Sequence, residues 1–407
     1  MHACKHGTQE CLRHATLAGM FSSRLDWSAP ENPLAKLLRE KRTRGVELLD
    51  LTESNPTAAG FSYAADALLG ALADPRALRY EPHPAGLADA RAAVAEYYRE
   101  TPPGVSPERI LLTASTSEAY SLLFKLLADP GDEVLVPRPS YPLFEFLAAL
   151  ESVRPIPYAL VYDAKWRIDF DALERQVTNR TRAVVLVNPN NPTGSFLKKQ
   201  EVDRLVTLCQ RHRMAILSDE VFSDYVFGPD EERVGSLAGR DDVLTFVLSG
   251  FSKVLALPQV KLGWIVVGGP ESARSEAFSR LELIADTYLS VSTPVQWAAR
   301  RLLACRTAIQ QQILDRVCAN RAFLSNRIGG DSPWRLLDTE GGWYGVLEAP
   351  RIHSEEEWTL ELLQQDNVLV QPGFFFDFER EAFLVVSLLT QAEIFRDGID
   401  RILSRAR

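Results

Sequence analysis

The chain has 407 residues, of which 46% are hydrophobic and 24% charged, and these proportions exclude disordered, collagen-like and low-complexity proteins. The length predicts about two domains, at about 100 to 200 residues each. Lysine and arginine number 45 against 54 aspartates and glutamates, which gives a net charge of −9, and an acidic chain of this kind predicts no nucleic-acid partner.

Residues 1–19 are predicted to form a loose extension. They include Cys4 and Cys11, but irregular spacing in a polar segment is typical of a tail, so no metal site is predicted. The chain has five scattered cysteines without the paired spacing of a zinc or redox motif, which predicts a reducing, cytoplasmic setting. No apolar stretch approaches the length of about 20 residues that spans a bilayer, so no membrane partner is expected.

Short apolar runs alternate with segments of helical period through the middle of the chain. The runs cover 110–114, 133–137, 183–188, 214–218, 244–248 and 263–267. Between them, apolar residues from Ala119 to Leu127 and from Val202 to Cys209 recur on one helical face. This alternation predicts an α/β fold with a large, mostly parallel sheet buried on both faces by helices. After about residue 290 the pattern changes to a long helical stretch, Pro294 to about Ile328, and then to mixed elements.

Polar residues follow most of these apolar runs. Ligands of open parallel sheets bind beyond the carboxyl ends of the strands, so these residues are the candidates for a site. Residues 115–117 follow the first run, 138–142 the second, and 188–194, which read NPNNPTG, the third. Asp219 and Lys253, the latter within the sequence SGFSK, follow later runs.

Taken together, these segments resemble the fold-type I pyridoxal-phosphate enzymes, specifically the class I and II aminotransferases. The resemblance runs from about Leu49 to the end of the chain, and NPNNPTG, followed in order by Asp219 and Lys253, is its most specific part. It implies pyridoxal 5′-phosphate as cofactor. It also implies a large cofactor-binding domain over 61–293 and a smaller α/β domain over 294–407. The N-terminal segment 20–60 is implied to form part of the smaller domain.

The resemblance assigns three residues to the cofactor ring. Lys253 is implied to hold the cofactor as a Schiff base and then to move a proton between the substrate Cα and the cofactor C4′. Asp219 is implied to keep the ring nitrogen protonated, although alone it also suits a helix cap. Asn191 is implied to hydrogen-bond the phenolic oxygen, although alone it suits a turn.

A second group of residues is implied to bind the cofactor phosphate. A helix start supplies backbone N–H donors to phosphate, and hydroxyls and a cation add to them. The group consists of Ser115, Thr116, Ser117, Ser252 and Lys261. The first three are equally suited to capping the helix that follows.

Two tyrosines complete the implied site. Tyr141 is implied to lie over the face of the cofactor, and Tyr80 to reach the phosphate in the neighbouring subunit. The second role predicts a homodimer. Each tyrosine is equally compatible with simple packing.

The chain departs from the family pattern near the ring. Phe222 stands where the family commonly has a tyrosine that donates to the phenolic oxygen, and Tyr225 lies three residues further on. Lys261 stands where the family often has arginine, and it keeps the charge without the bidentate fork.

A further departure concerns the substrate carboxylate. Val385 occupies the place of the arginine that usually clamps it, so Arg138, or else Arg380, is the candidate replacement. Arg138 is the better candidate because it follows a predicted strand, although it also suits a solvated loop. Residues 341–344 and 371–374 are implied to line the substrate side, or else form tight turns.

The principal functional prediction is an aminotransferase that moves the amino group of an L-amino acid to a 2-oxo acid. The missing arginine keeps open a lyase or cyclase that uses the same cofactor for β- or γ-elimination, such as a carbon–sulfur lyase. A ligand-sensing transcription regulator would need a basic DNA-binding domain before the fold, and we expect none because the extension there is short and not basic.

Overall fold

The computed structural model of the chain describes residues 20–25, 32–101, 104–330 and 332–405. The extension predicted for residues 1–19, with Cys4 and Cys11, lies outside these residues. The strands are β1 (Leu49–Asp50), β2 (Ile110–Thr113), β3 (Glu133–Arg138), β4 (Arg154–Asp163), β5 (Lys165–Ile168), β6 (Thr181–Val187), β7 (Ala215–Asp219), β8 (Thr245–Gly250), β9 (Gly263–Gly268), β10 (Arg335–Leu336), β11 (Tyr344–Glu348), β12 (Val368–Leu369), β13 (Gln371–Pro372) and β14 (Phe383–Ser387).

The helices alternate with these strands through the centre of the chain. They are α1 (Pro33–Thr43), α2 (Ala65–Leu72), α3 (Ala88–Tyr97), α4 (Thr116–Leu127), α5 (Leu143–Leu150), α6 (Phe170–Gln176), α7 (Lys199–His212), α8 (Phe251–Val254), α9 (Glu271–Asp286), α10 (Thr293–Ala304), α11 (Arg306–Arg327), α12 (Glu355–Asp366) and α13 (Ala392–Ser404). No helix in the described part of the chain combines the length and apolarity needed to cross a bilayer.

Eight strands form the large sheet, in the order β2-β9-β8-β7-β6-β3-β4-β5. The central strands β8, β7, β6, β3 and β4 are parallel, whereas β9 and β5 run antiparallel to their neighbours. The predicted α/β fold with a large, mostly parallel sheet is therefore confirmed.

Helices cover both faces of this sheet. In β6, Val184 and Leu186 belong to one apolar core, and the alternate residues Ala183 and Val185 belong to another. Successive side chains of a strand point to opposite faces, so a strand between two helical layers must be apolar throughout. This is why the buried strands appear in the sequence as continuous apolar runs.

A separate core outside the large sheet, called here the second core, joins the two ends of the described chain. β11 and β14 pair antiparallel within a four-stranded sheet, and β1 pairs with β12, so residue 49 lies beside residue 368. Leu51 shares this core with Phe395 and Ile399 of α13.

The predicted helical stretch from Pro294 to about Ile328 is divided at Cys305 into α10 and α11. The residues Ala298 and Leu302 of α10 pack in the core of the large sheet, whereas Ile313 and Val317 of α11 pack in the second core. The proposed division of the chain at 293/294 stays a prediction, and this packing favours a boundary close to Cys305.

Candidate active site

The polar segments that follow β6, β7 and β8 meet at one edge of the large sheet. These strands are parallel neighbours, so their carboxyl ends lie side by side. A cavity opens there, with about 900 Å³ of free space when its open mouth is included. Seven of the residues that the sequence assigns to the site line this cavity: Thr116, Ser117, Tyr141, Asn191, Asp219, Ser252 and Lys253.

Lys253 lies on the short helix α8, directly after β8. Its Nζ is 4.5 Å from the ring centroid of Trp343 and 5.1 Å from that of Phe222. Burial among these rings lowers the pKa of Lys253 to about 8, against the opposing attraction of the Asp219 carboxylate. The amine therefore loses its proton more readily than a surface lysine, as a nucleophile requires.

Asp219 is the last residue of β7. Burial raises its pKa to about 6, and two hydrogen bonds and the charge of Lys253 partly offset the effect. The Tyr120 hydroxyl donates to Oδ2 at 3.2 Å, and the Val221 amide donates to Oδ1 at 3.2 Å. The carboxylate is thus held in place, and a cationic partner would stabilise its charged form.

The NPNNPTG segment forms a tight turn after β6. Asn188 and Asn190 are used within the protein: Asn188 binds the Val234 carbonyl and the Leu197 amide, and Asn190 donates to the Pro139 carbonyl. Gly194 has a φ of +68°, and a Cβ there would lie 2.4 Å from the carbonyl oxygen of Gly341, so glycine is required.

Asn191 differs from the other asparagines of this turn. It is buried and lines the cavity, yet its side-chain oxygen has no hydrogen-bond partner within the described residues. An amide oriented into a cavity without a protein partner is suited to bind a ligand.

The start of α4 forms another wall of the cavity. Ser115 is the N-cap of this helix, and its hydroxyl accepts from the Glu118 amide at 3.2 Å, so Ser115 does not itself line the cavity. Thr116 and Ser117 do line it, beside a helix N-terminus that favours anions.

Two of the predicted residues lie apart from the cavity wall. Lys261 is exposed, in a left-handed conformation with φ of 58°. Tyr80 is 72% exposed and lines a separate groove with His83 and Tyr288. Among the described residues of this single chain, therefore, neither of the two lines the cavity.

Sequence reasoning did not assign several other residues that line the cavity. They are Ser54, Tyr120, Leu143, Phe144, Leu147, Val187 and Val221, whereas Tyr344, from the predicted segment 341–344, and Phe222 were both placed at the site by the resemblance. Tyr120 had a local signal, because it lies four residues after Thr116 on the same face of α4. Ser54 had none, since it lies between β1 and α2 and does not follow a strand of the large sheet.

The structure also locates the residues at which the family pattern fails. The Tyr225 hydroxyl donates to the Lys253 carbonyl at 2.7 Å and does not line the cavity, so it does not replace the hydroxyl absent at Phe222. Val385 is fully buried in β14, between β11 and β13. Arg380 lies 3.8 Å from Glu348 and over the ring of Phe383, away from the cavity.

The residues present fit the cofactor that the resemblance implies. The cavity combines an amine whose proton affinity is lowered, a partly buried carboxylate, an unpartnered amide and hydroxyls at a helix start. These groups match the aldehyde, the ring nitrogen, the phenolic oxygen and the phosphate of pyridoxal 5′-phosphate, respectively.

Comparison with known proteins agrees with this geometry. The profile of the aminotransferase class I and II family matches residues 46–401. The glutamate-pyruvate aminotransferase AlaA of Haemophilus influenzae is 27% identical over 92% of this chain and 95% of its own. The S-alkyl-thiohydroximate lyase SUR1 of Arabidopsis thaliana is 33% identical over 83% of this chain and 75% of its own.

The fold is likewise similar to solved structures. The alanine aminotransferase of Pyrococcus furiosus superposes with a TM-score of 0.84 at 25% identity, and the match covers 94% of this chain and 98% of that one. The chain therefore belongs to the aminotransferase class I and II family, and it is a pyridoxal-phosphate-dependent aminotransferase.

Proposed function

We propose that the enzyme transfers the amino group of L-alanine or L-glutamate to a 2-oxo acid, with Lys253, Asp219 and Asn191 as the residues that serve the reacting part of the cofactor. The observation that carries this proposal is that the Lys253 amine and the Asp219 carboxylate line one cavity, together with the unpartnered amide of Asn191. Pyridoxal phosphate, when bound, withdraws electrons from the substrate Cα.

Lys253 is proposed to carry the proton. Its pKa of about 8 leaves a useful fraction of the side chain as neutral amine near neutral pH, so it can both accept and return a proton. The faces of Trp343 and Phe222, 4.5 and 5.1 Å from the amine, offset part of the cost of burying the ammonium form after it has accepted one. The same two rings exclude water from the amine.

Asp219 is proposed to stay ionised beside the protonated ring nitrogen. The positive charge of that nitrogen would lower the pKa of Asp219 from about 6, because an opposite charge favours the carboxylate. Tyr120 and Val221 hold the carboxylate in one orientation. Thr116, Ser117 and Ser252 are proposed to bind the phosphate, with Lys261 adding charge from the surface, and Tyr141 to cover one face of the ring.

The substrate pair follows from the relatives. Proteins with similar sequence or fold are named glutamate-pyruvate aminotransferase and alanine aminotransferase. The test is to incubate the loaded enzyme with L-alanine and 2-oxoglutarate and to measure pyruvate and glutamate. Equal amounts of both products support the proposal, whereas release of ammonia without glutamate contradicts it.

A second candidate is cleavage of a carbon–sulfur bond with the same residues. Val385 in place of the family arginine and the 33% identity to a lyase both favour it. Incubation of the loaded enzyme with a cysteine S-conjugate separates the two reactions. A lyase releases thiol and ammonia over many turnovers, and an aminotransferase releases neither.

We further propose that the active unit is a homodimer in the cytoplasm, in which Tyr80 reaches the phosphate of the other subunit. The exposed side chains of Tyr80, Leu78 and Leu69 support a covered surface, and the unpaired Cys209, Cys305 and Cys318 support a reducing compartment. Mixing Tyr80→Phe with Lys253→Ala subunits tests the crossing, because the mixed dimer would hold one intact site. Recovery of activity is expected, and its absence would contradict the arrangement.

A further inference from the structure

The substrate carboxylate lacks an evident partner in the cavity. Lys253 is the one cationic side chain among the described residues that line it, and its amine is needed for the cofactor. Val385 is buried in the second core and carries no charge. A substrate with a carboxylate therefore needs a cation from outside the cavity wall.

Arg138 is the candidate because it lines a groove that shares residues with the cavity wall. It ends β3, three residues before Tyr141. Its side chain lines a groove of about 960 Å³, of which Tyr141 and Phe144 also form part, and the same two rings line the cavity. The groove and the cavity are thus neighbours that share one aromatic wall.

The guanidinium of Arg138 now holds a carboxylate of the protein itself. Nη2 lies 2.8 Å from Oδ1 of Asp377, and Nε donates to the Asp377 carbonyl at 2.9 Å. The side chains are 34% and 62% exposed, respectively, and ion pairs with this exposure contribute little to stability. The contact is therefore weak enough for another carboxylate to replace Asp377.

The backbone near Arg138 is anchored to the segment that carries Asp377. The Ser140 amide donates to the Phe376 carbonyl at 2.9 Å, which joins the segment carrying Tyr141 to the segment carrying Asp377. A change of partner by the long Arg138 side chain leaves this backbone contact in place. Arginine has five N–H donors in a planar fork, and this fork matches a carboxylate in bidentate fashion.

We propose that Arg138 binds the α-carboxylate of the substrate, and that this carboxylate displaces Asp377. The inference rests on the amino-acid substrate of the proposed function. It gives this chain a carboxylate site on the large sheet, at the end of β3, in place of one on β14. Asp377 acts as a competitor that occupies the fork until a substrate arrives.

This arrangement predicts opposite effects for the two partners of one ion pair. Arg138→Gln removes the receptor, and the loss of charge-assisted hydrogen bonds is expected to raise KM for L-alanine about 10- to 100-fold with little change in kcat. Asp377→Asn removes the competitor, and KM is expected to fall about two- to fivefold. An ion pair that merely joined two parts of the fold would give changes of the same sign.

The experiment uses the loaded wild-type enzyme and these variants with two reagents that attack the bound cofactor. Aminooxyacetate carries a carboxylate and methoxyamine does not, and the absorbance change gives the rate of each. For Arg138→Gln the rate with aminooxyacetate should fall about 10- to 100-fold, while the rate with methoxyamine stays unchanged. Arg138→Lys should recover part of the loss, since it restores charge without the fork.

Arg321→Gln is the matched control, because Arg321 is also 34% exposed and lies 3.4 Å from Asp338. It should leave both rates unchanged. Equal loss with both reagents in Arg138→Gln, changes of the same sign in the two partner variants, or a selective loss in Arg380→Gln instead would overturn the inference. If wild-type enzyme reacts with methoxyamine but with no L-amino acid, the proposed function fails and takes the inference with it; if wild type reacts and Arg138→Gln behaves identically, the inference alone fails.

Discussion

The buried carboxylate of Asp219 should destabilise the cofactor-free protein. Its pKa is about 6 in the folded chain against 3.8 in the absence of burial, and one pH unit corresponds to about 1.36 kcal/mol. Ionised Asp219 therefore costs at most about 3 kcal/mol of unfolding free energy, somewhat less where solvent enters the open cavity. Asp219→Asn removes this charge, keeps an acceptor for the Val221 amide and offers its own N–H to the Tyr120 oxygen.

Because burial raises the pKa of Asp219, the stability of the cofactor-free protein should depend on pH. A proton binds more tightly to Asp219 in the folded than in the unfolded chain. Protonation of Asp219 therefore contributes fully to the stability of the fold below pH 3.8, and this contribution is lost as the pH rises through 6. Between pH 5 and pH 8 the free energy of unfolding of the wild type should fall by about 1.4 kcal/mol, and that of Asp219→Asn should not show this fall. The variant should therefore be the more stable protein at pH 8, and its advantage should be smaller at pH 5.

Urea unfolding of the two cofactor-free proteins at both pH values measures this difference. Asp230→Asn is a control of opposite sign, because the ammonium of Lys198 lowers the pKa of Asp230 and the charge is stabilising there. The reasoning is refuted if Asp219→Asn gains nothing at pH 8, or if its gain is independent of pH. In the loaded enzyme the substitution should instead slow aminotransfer, since the ring nitrogen loses its carboxylate.

Four further substitutions test the other contacts of the site. Asn191→Ala should leave the cofactor-free protein as stable as the wild type, because its side-chain oxygen has no partner to lose, but should weaken cofactor binding about tenfold in a fluorescence titration. Asn190→Ala, the matched change, loses bonds to Pro139 and Thr193 and should lower the unfolding free energy by about 1 to 3 kcal/mol. Tyr120→Phe should raise the pKa of Asp219 further, which moves the pH dependence of unfolding toward higher pH. Phe222→Tyr should lower the proton affinity of the bound cofactor about tenfold, because the added hydroxyl stabilises the phenolate. The absorbance titration of the cofactor should therefore move to lower pH.

A specific result would contradict each of these predictions. Equal destabilisation by Asn191→Ala and Asn190→Ala would mean that both side chains serve the turn alone. A pH profile unchanged by Tyr120→Phe would show that its hydroxyl does not interact with the carboxylate. An unchanged titration in Phe222→Tyr would place position 222 out of reach of the phenolic oxygen.

The buried strands of the large sheet were predictable because of what covers them. Strands between two helical layers are apolar on both faces, and so they stand out as short continuous runs. β4 gave no such signal, because it contains Pro155 and Pro157 and only Tyr158 of its ten residues is buried, near the edge of the sheet. The antiparallel direction of β9 was equally hidden, since an apolar run carries no information on direction.

The site was predictable where it is local in sequence. Asp219, Lys253 and Asn191 each follow a buried strand directly, so the rule for parallel sheets locates them. Tyr344 was placed near the substrate only by the resemblance of residues 341–344, and Ser54 reaches the cavity from the segment after β1, over a separation that no local pattern encodes. The contact of Arg138 with Asp377 spans 239 residues and depends on the same packing.

The most direct test of the whole account is to find the lysine to which the cofactor is attached. Borohydride reduction of the loaded enzyme, followed by proteolysis and mass spectrometry, fixes the cofactor to its lysine. We predict a single pyridoxyl group on the peptide that contains Lys253, and no label in Lys253→Ala. A label on Lys261 or on any other lysine, or a labelled Lys253→Ala protein, would contradict the central claim that the Lys253 amine holds the cofactor.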